Sequence, residues 1–110
     1  MNSERGDLLR GTLEMLILRS LDDGPRHGYG ITERLQKVSE EVLTVDEGSL
    51  YPALYRMQRR GWLTSKWGRS DNNRKARFYS LTAKGRKQLA AATESWTRFS
   101  KAVTKAMKPT

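Results

Sequence analysis

Cysteine is absent from the 110 residues, which excludes disulfides and thiolate metal sites. Histidine occurs once, at His27, so a transition-metal site would have to rest on carboxylates, and none is expected. Long apolar runs are missing as well. The longest, Met15–Leu18, is far too short to span a membrane, and mean hydropathy is −0.75. Glu4 and Asp7 stand near the start and no apolar signal segment follows them, so the expected compartment is the cytosol. Catalytic groupings are also lacking. Ser49 has no base beside it, no glycine-rich phosphate loop is present, and the carboxylate pairs Asp22–Asp23 and Glu40–Glu41 fall in turn-like stretches. His27 has neither a nucleophile nor a second ligand for company and is better read as a residue at the start of a helix. The chain is expected to be neither an enzyme nor a cofactor protein.

Acidic residues are scarce in one half only. Residues 1–62 carry 9 basic and 10 acidic side chains, whereas residues 63–110 carry 12 basic and 2 acidic, within a net charge of +9. Such a lopsided positive field points to a polyanionic partner, although a basic half can also serve RNA or anionic lipid.

The stretch around which the chain is organised is Asp46–Leu63, DEGSLYPALYRMQRRGWL. At helical spacing Leu50, Ala53, Leu54 and Met57 share one face, for burial. Gly48, Pro52, Tyr55, Arg56 and Arg59 share the opposite face, with Ser49 and Tyr51 on its flanks. Gly61 is placed to end the helix in a left-handed conformation. A start near Gly48 or Ser49 would keep Pro52 in the first turn, where its missing N–H matters least. Thr44 with Glu47 offers an alternative start as a capping box, but would strand Pro52 deeper.

After Gly61, residues 62–81 read as a β-hairpin. Leu63, Ser65 and Trp67 alternate with Thr64 and Lys66 as in a half-buried strand, and Gly68–Asn73 is rich in turn residues. The return strand sets Tyr79 and Leu81 against Phe78 on the other side, with Arg74, Lys75 and Arg77 clustered beside the tip. A charged edge strand is the plain explanation of that cluster. Phosphate contact is preferred, because every charge in it is positive. A basic, aromatic helix feeding a basic hairpin is the arrangement of a winged helix-turn-helix, mainly α with a small hairpin.

Two helices are expected before this unit, over residues 7–21 and 27–39, and one after it. In the first, Leu9, Leu13, Leu16, Ile17 and Leu21 form the main stripe, leaving Met15 and Leu18 for a second cover such as a partner subunit. Asp22–Pro25 breaks it. In the second, Ile31, Leu35 and Val38 face the core, Gly28 and Gly30 admit a close backbone approach, and Tyr29 projects between them; a short strand is expected at residues 43–45. The last helix runs to about Met107. Its apolar residues Leu89, Ala92, Trp96, Phe99, Val103 and Ala106 recur at spacings of three and four, a seam too long for so small a chain to bury alone. The organisation read here is a DNA-binding region at 1–81 and a dimerisation helix and tail at 82–110, with ends 1–5 and 108–110 disordered.

LLRGTLEMLIL, GPRHGYGI, EGSLYPALYRMQRRGWL and RFYSLTAKGRKQL, in that order and spacing, resemble the PadR family of bacterial transcriptional regulators over residues 8 to about 103. A single C-terminal helix resembles its compact branch. The resemblance implies a dimeric winged-helix repressor of double-stranded DNA with an inverted-repeat operator. It places Tyr29, Ser49, Tyr51, Pro52 and the basic wing residues at the DNA. It also implies that the last helix meets the partner's first helix, through Leu18, Leu89, Val103 and neighbouring residues. In drug-sensing members of that branch aromatic residues line a pore at the dimer centre, where Trp96, with Phe99 and Met15 nearby, would meet a small hydrophobic or aromatic effector. A winged-helix module binding RNA or DNA nonspecifically, without effector, is the alternative.

Overall fold

The computed structural model describes the backbone of residues 4–109 and side chains from Thr12 to Pro109. Of the ends expected to be disordered, residues 1–3 and 110 lie outside the described residues, as does the Leu9 side chain, but Glu4 and Arg5 are helical, in the first turn of α1. In order come α1 (Glu4–Ser20), β1 (Arg26–His27), α2 (Gly28–Val38), α3 (Glu47–Arg59), β2 (Leu63–Arg69), β3 (Lys75–Leu81) and α4 (Ala83–Met107). The antiparallel sheet has the order β1-β3-β2, with Leu63 opposite Leu81 and Arg69 opposite Lys75.

The core is a single cluster. Leu13, Ile17, Leu18 and Leu21 meet Ile31 and Leu35, the Leu50–Ala53–Leu54–Met57 face of α3, and Leu63, Tyr79 and Leu89. Each large aliphatic side chain buried there contributes roughly 1.5–3 kcal/mol. Two sequence expectations are corrected by it. Leu18 is 1% exposed and Leu89 is 7% exposed within one chain, so neither is left over for a partner. α1 is apolar on two sides because α2, α3 and α4 of the same chain cover it. Val38 is also corrected: in the last turn of α2 it stands 58% exposed.

No strand forms at residues 43–45. Glu40 and Glu41 turn the chain in left-handed conformations (φ 53° and 72°), and the Leu43 N–H donates to Ser39 Oγ at 2.9 Å instead of to a ladder. The third strand comes from Arg26–His27, which pair with Tyr79 and Phe78. Arg26 steadies the turn before it by donating to the Ser20 carbonyl and, at 2.6 Å, to Asp23 Oδ1. The hydrogen bond from Arg26 to Asp23, with the charge of Arg26, holds the Asp23 carboxyl below its ordinary value.

α3 begins at Glu47 with Asp46 as its N-cap, so Pro52 lies in the second turn, not the first, and Thr44 is not the cap. Pro52 cannot donate to the Gly48 carbonyl, but both residues are exposed and water can serve that oxygen. At the other end Gly61 (φ +81°) closes a Schellman motif: Trp62 N–H donates to Met57 O and Gly61 N–H to Gln58 O, each at 3.0 Å.

α4 starts against that same loop. Thr82 caps it by accepting from Gly85 N–H at 3.0 Å, and the Thr82 hydroxyl donates to Gly61 O at 2.6 Å. A Cβ at Gly85 would lie 2.1 Å from the Trp62 carbonyl oxygen, a backbone atom with nowhere to go. Gly85→Ala should therefore lower the urea midpoint by the equivalent of about 1–3 kcal/mol with an unchanged m-value. An unchanged midpoint in urea titration would show that the two backbones can part at no cost.

Candidate nucleic-acid interface

The outward side of α3 is set by its buried side. With Leu50, Ala53, Leu54 and Met57 packed inward, Tyr55, Arg59, Pro52 and Gly48 are turned to solvent. The Arg59 guanidinium lies 5.7 Å from the centre of the Tyr55 ring. On one flank Tyr51 leans toward α2, where its hydroxyl fills the space that a Cβ at Gly28 would take, 2.4 Å away. A side chain at Gly28 would displace the Tyr51 ring from this position. Gly30 serves otherwise: its N–H donates to His27 Nδ1 at 3.0 Å, making His27 the N-cap of α2. Tyr29 projects at 69% exposure.

The wing is tied to α3 by a short polar chain. Arg77 Nε donates to Ser65 Oγ at 2.8 Å, and that hydroxyl donates to Gln58 Oε1 at 3.3 Å. On the same face of the hairpin Trp67, opposite Arg77, has Lys75 Nζ 5.0 Å and the Arg77 guanidinium 5.5 Å from its ring centre. Trp67 was expected to be half-buried. It is 58% exposed, because the hairpin extends past the core at that point. Tyr79 beneath it is buried, which pushes its hydroxyl above the ordinary value for tyrosine.

Between α2, α3 and the wing runs an open trough of about 700 Å³ that brings Tyr29, Tyr51, Trp67, Arg74, Lys75 and Arg77 together, with Glu33 and Asp71 among its walls. A second cleft, of about 420 Å³, joins Tyr51, Tyr55, Arg59, Arg77 and Tyr79. Arg56 and Ser49 are not part of either. They line a separate hollow with Glu14, Met15, Gly48 and Pro52 on the α1 side of the helix, where Glu14 Oε2 accepts from Arg56 Nε at 3.2 Å. Trp96, Phe99 and Val103 line none of the three and are exposed along α4. Among the described residues no cluster of carboxylates and imidazole could hold a metal, and no helix is long and apolar enough to cross a membrane.

A family model described as the transcriptional regulator PadR-like family matches residues 17–91. The chain belongs to this family. Among solved structures, a PadR-like transcriptional regulator from Bacillus cereus is 31% identical, with a TM-score of 0.81 over 94% of this chain and 99% of that one. A transcriptional regulator from Clostridium thermocellum is 27% identical, with a TM-score of 0.83 over 93% and 99%. Bacillus subtilis PadR, solved in complex with operator DNA, is 24% identical with a TM-score of 0.65, and the likeness covers 73% of this chain and 45% of that one. It shows a shared fold. The molecule is a PadR-family transcriptional regulator with a winged-helix architecture, and members of the family are not enzymes.

Sequence reasoning missed two participants in this PadR surface. Strand alternation groups Trp67 with Leu63 and Ser65 on one side of a half-buried strand, although the positive residues opposite it are a signal that it stands outside. Glu14 was passed over because it lies in a helix far from α3 in sequence. The polar chain through Ser65 supplies a test of how the wing is held. Ser65→Ala should change global stability by only about 1 kcal/mol. It should also speed amide hydrogen exchange selectively in the outer half of β2 and β3. Exchange there at the wild-type rate would mean that the strand pairing alone fixes the wing.

Proposed function

We propose that this PadR-family regulator is a homodimeric repressor that binds an inverted-repeat operator, with α3 in the major groove and the wing along the phosphates. The observation that carries the reading is the continuity of the outward face of α3 with the inner face of the wing. Tyr55 and Arg59 pass through Tyr51 and Tyr79 to Arg77, Lys75 and Trp67 without a break. Such a surface offers guanidinium groups to base edges and phosphates, and flat rings to sugars and methyl groups. That B. subtilis PadR, which shares this fold, was solved in complex with operator DNA supports DNA as the partner.

Support for the dimer comes from α4. A helix of 25 residues is roughly 37 Å long. Only Gly85 and Leu89 are buried on it. Beyond them Trp96, Phe99, Val103 and Met107 are exposed at spacings of three and four, and the Trp96 and Phe99 ring centres are 6.4 Å apart. A second copy of the same stripe, with half-buried Met15 as a neighbour, is the simplest cover for it. A small hydrophobic or aromatic effector seated by Trp96 and Phe99 would change how two such helices pack, and so the separation of the two α3 helices.

Selection of a binding site from a random duplex library tests the whole reading. The expected product is an inverted repeat with half-site centres about one helical turn apart, bound by a dimer in sedimentation. Failure to enrich any sequence would leave a nonspecific nucleic-acid module. On the selected site Arg59→Ala should lose about 1–3 kcal/mol at one base position. Lys75→Ala and Arg77→Ala should weaken selected and scrambled duplexes alike, each lowering the slope of log K against log salt by about 1.

A further inference from the structure

Of the three arginines at the C-terminal end of α3, Arg56, Arg59 and the C-cap Arg60, one is placed differently from the other two. Arg59 faces outward over Tyr55, and among the described residues it has no carboxylate partner. Arg56 and Arg60 both turn to one carboxylate on α1: Arg56 Nε donates to Glu14 Oε2 at 3.2 Å and Arg60 NH1 to Glu14 Oε1 at 3.2 Å. One negative charge thus serves two positive ones, and the cluster keeps a net positive charge. The Glu14 side chain is 29% exposed and the arginines are about half exposed, so the cluster sits at the surface. Pairs of that kind add little to stability. Stability alone does not account for two arginines converging on one acid.

We infer that Glu14 is a positioning residue for recognition: it fixes Arg56 for one base and lowers the protein's affinity for DNA that lacks it. This rests on the reading that α3 enters the major groove. Helical side chains lean toward the N-terminus, and Arg56 accordingly reaches back into the hollow on the α1 side of α3, whose walls include Gly48 and Pro52 of the outward face. The contact with Glu14 engages Nε, so the NH1/NH2 end of the guanidinium can still present two parallel donors, the pattern that guanine O6 and N7 accept. A long arginine otherwise loses considerable rotamer freedom when it docks, and a side chain already held loses less. The carboxylate has a second effect. Beside any polyanion it repels, so a duplex without the matching base meets that repulsion and gains no compensating contact. Positioning acts on the operator and widens the ratio between operator and other DNA, whereas repulsion acts on all DNA and lowers affinity in general without changing that ratio.

Two substitutions separate the effects. Glu14→Gln removes the charge and weakens the hold on Arg56, whereas Glu14→Asp keeps the charge but shortens the reach. Binding of each is measured by salt-titrated anisotropy on a duplex enriched by the wild-type protein from a random library and on its scramble, with the melting temperature as a control. Wild-type discrimination between those two duplexes is established first, so that loss of the groove-binding reading is seen separately from loss of this one. Glu14→Gln should tighten binding to the scramble and lower the operator-to-scramble ratio about tenfold, as removal of one ordered base contact does. Glu14→Asp should weaken the operator alone. In an Arg56→Ala background the operator-specific part of both effects should vanish. An unchanged ratio in Glu14→Gln, or an operator-specific loss that persists without Arg56, would overturn the proposal.

Discussion

Where α4 leaves the wing, its first turn lies so close to the Trp62 carbonyl that no β-carbon fits at Gly85, and the rest of the molecule is arranged through that junction. Four element ends meet there. The Schellman closure of α3 delivers Trp62, β2 begins at the next residue, β3 ends at Leu81, and Thr82 caps α4 while donating to Gly61 O. The Thr82 N–H also donates to Trp62 O at 3.0 Å, so the carbonyl that Gly85 must accommodate is itself anchored. Backbone contacts of this kind cannot be relieved by a rotamer change, which makes the angle between α3 and the start of α4 a fixed quantity. In the proposed dimer, any change in how two α4 helices pack is carried through this junction to the α3 helices.

Charge is sorted in space as well as along the sequence. Three acidic residues of the first half are paired within the fold: Asp22 meets Arg19 and Arg86, Asp23 meets Arg26 and Arg34, and Glu14 meets Arg56 and Arg60. Among the described residues no ion pair includes Arg59, Arg74, Lys75 or Arg77, which lie along the α3–wing surface. Exposed pairs are worth little to stability, so the sorting matters for the field it leaves. Positive potential is cancelled around the α1–α2 turn and retained on the side with the exposed aromatic rings.

Much of this is legible in the amino-acid sequence. The winged-helix class followed from helical spacing in 46–60, the left-handed glycine at 61 and alternation in the hairpin, because each is a local rule acting on neighbouring residues. The misreadings share a cause. The strand at Arg26–His27 is only two residues long and exists by virtue of its partner β3, which no local pattern reveals. The strand assigned to 43–45 was lost to a turn built from Glu40 and Glu41, residue types that do not advertise positive φ. Leu18 seemed surplus because one helical stripe had been matched to one neighbour, whereas α1 is wrapped by three. The Glu14 contacts with Arg56 and Arg60 join residues far apart in the chain, and no spacing rule could have paired them.

The division of labour between the two ends of the chain also has a thermodynamic logic. A single α3 and wing reach only a few base pairs, and their basic residues attract any duplex. Coupling two such units through α4 makes the second contact intramolecular, so the discrimination of the halves multiplies while the phosphate term rises on all sequences alike. That common term sets overall affinity and residence on nonspecific DNA and leaves the ratio between sites unchanged. A surface whose positive charges were all unpaired would gain affinity everywhere. Neutralising part of the α3 arginine cluster with an acid on α1, while leaving Arg59 and the wing unpaired, limits the general attraction on one side of the helix and preserves it on the other. The scaffold that buries α3 thus also tempers its charge.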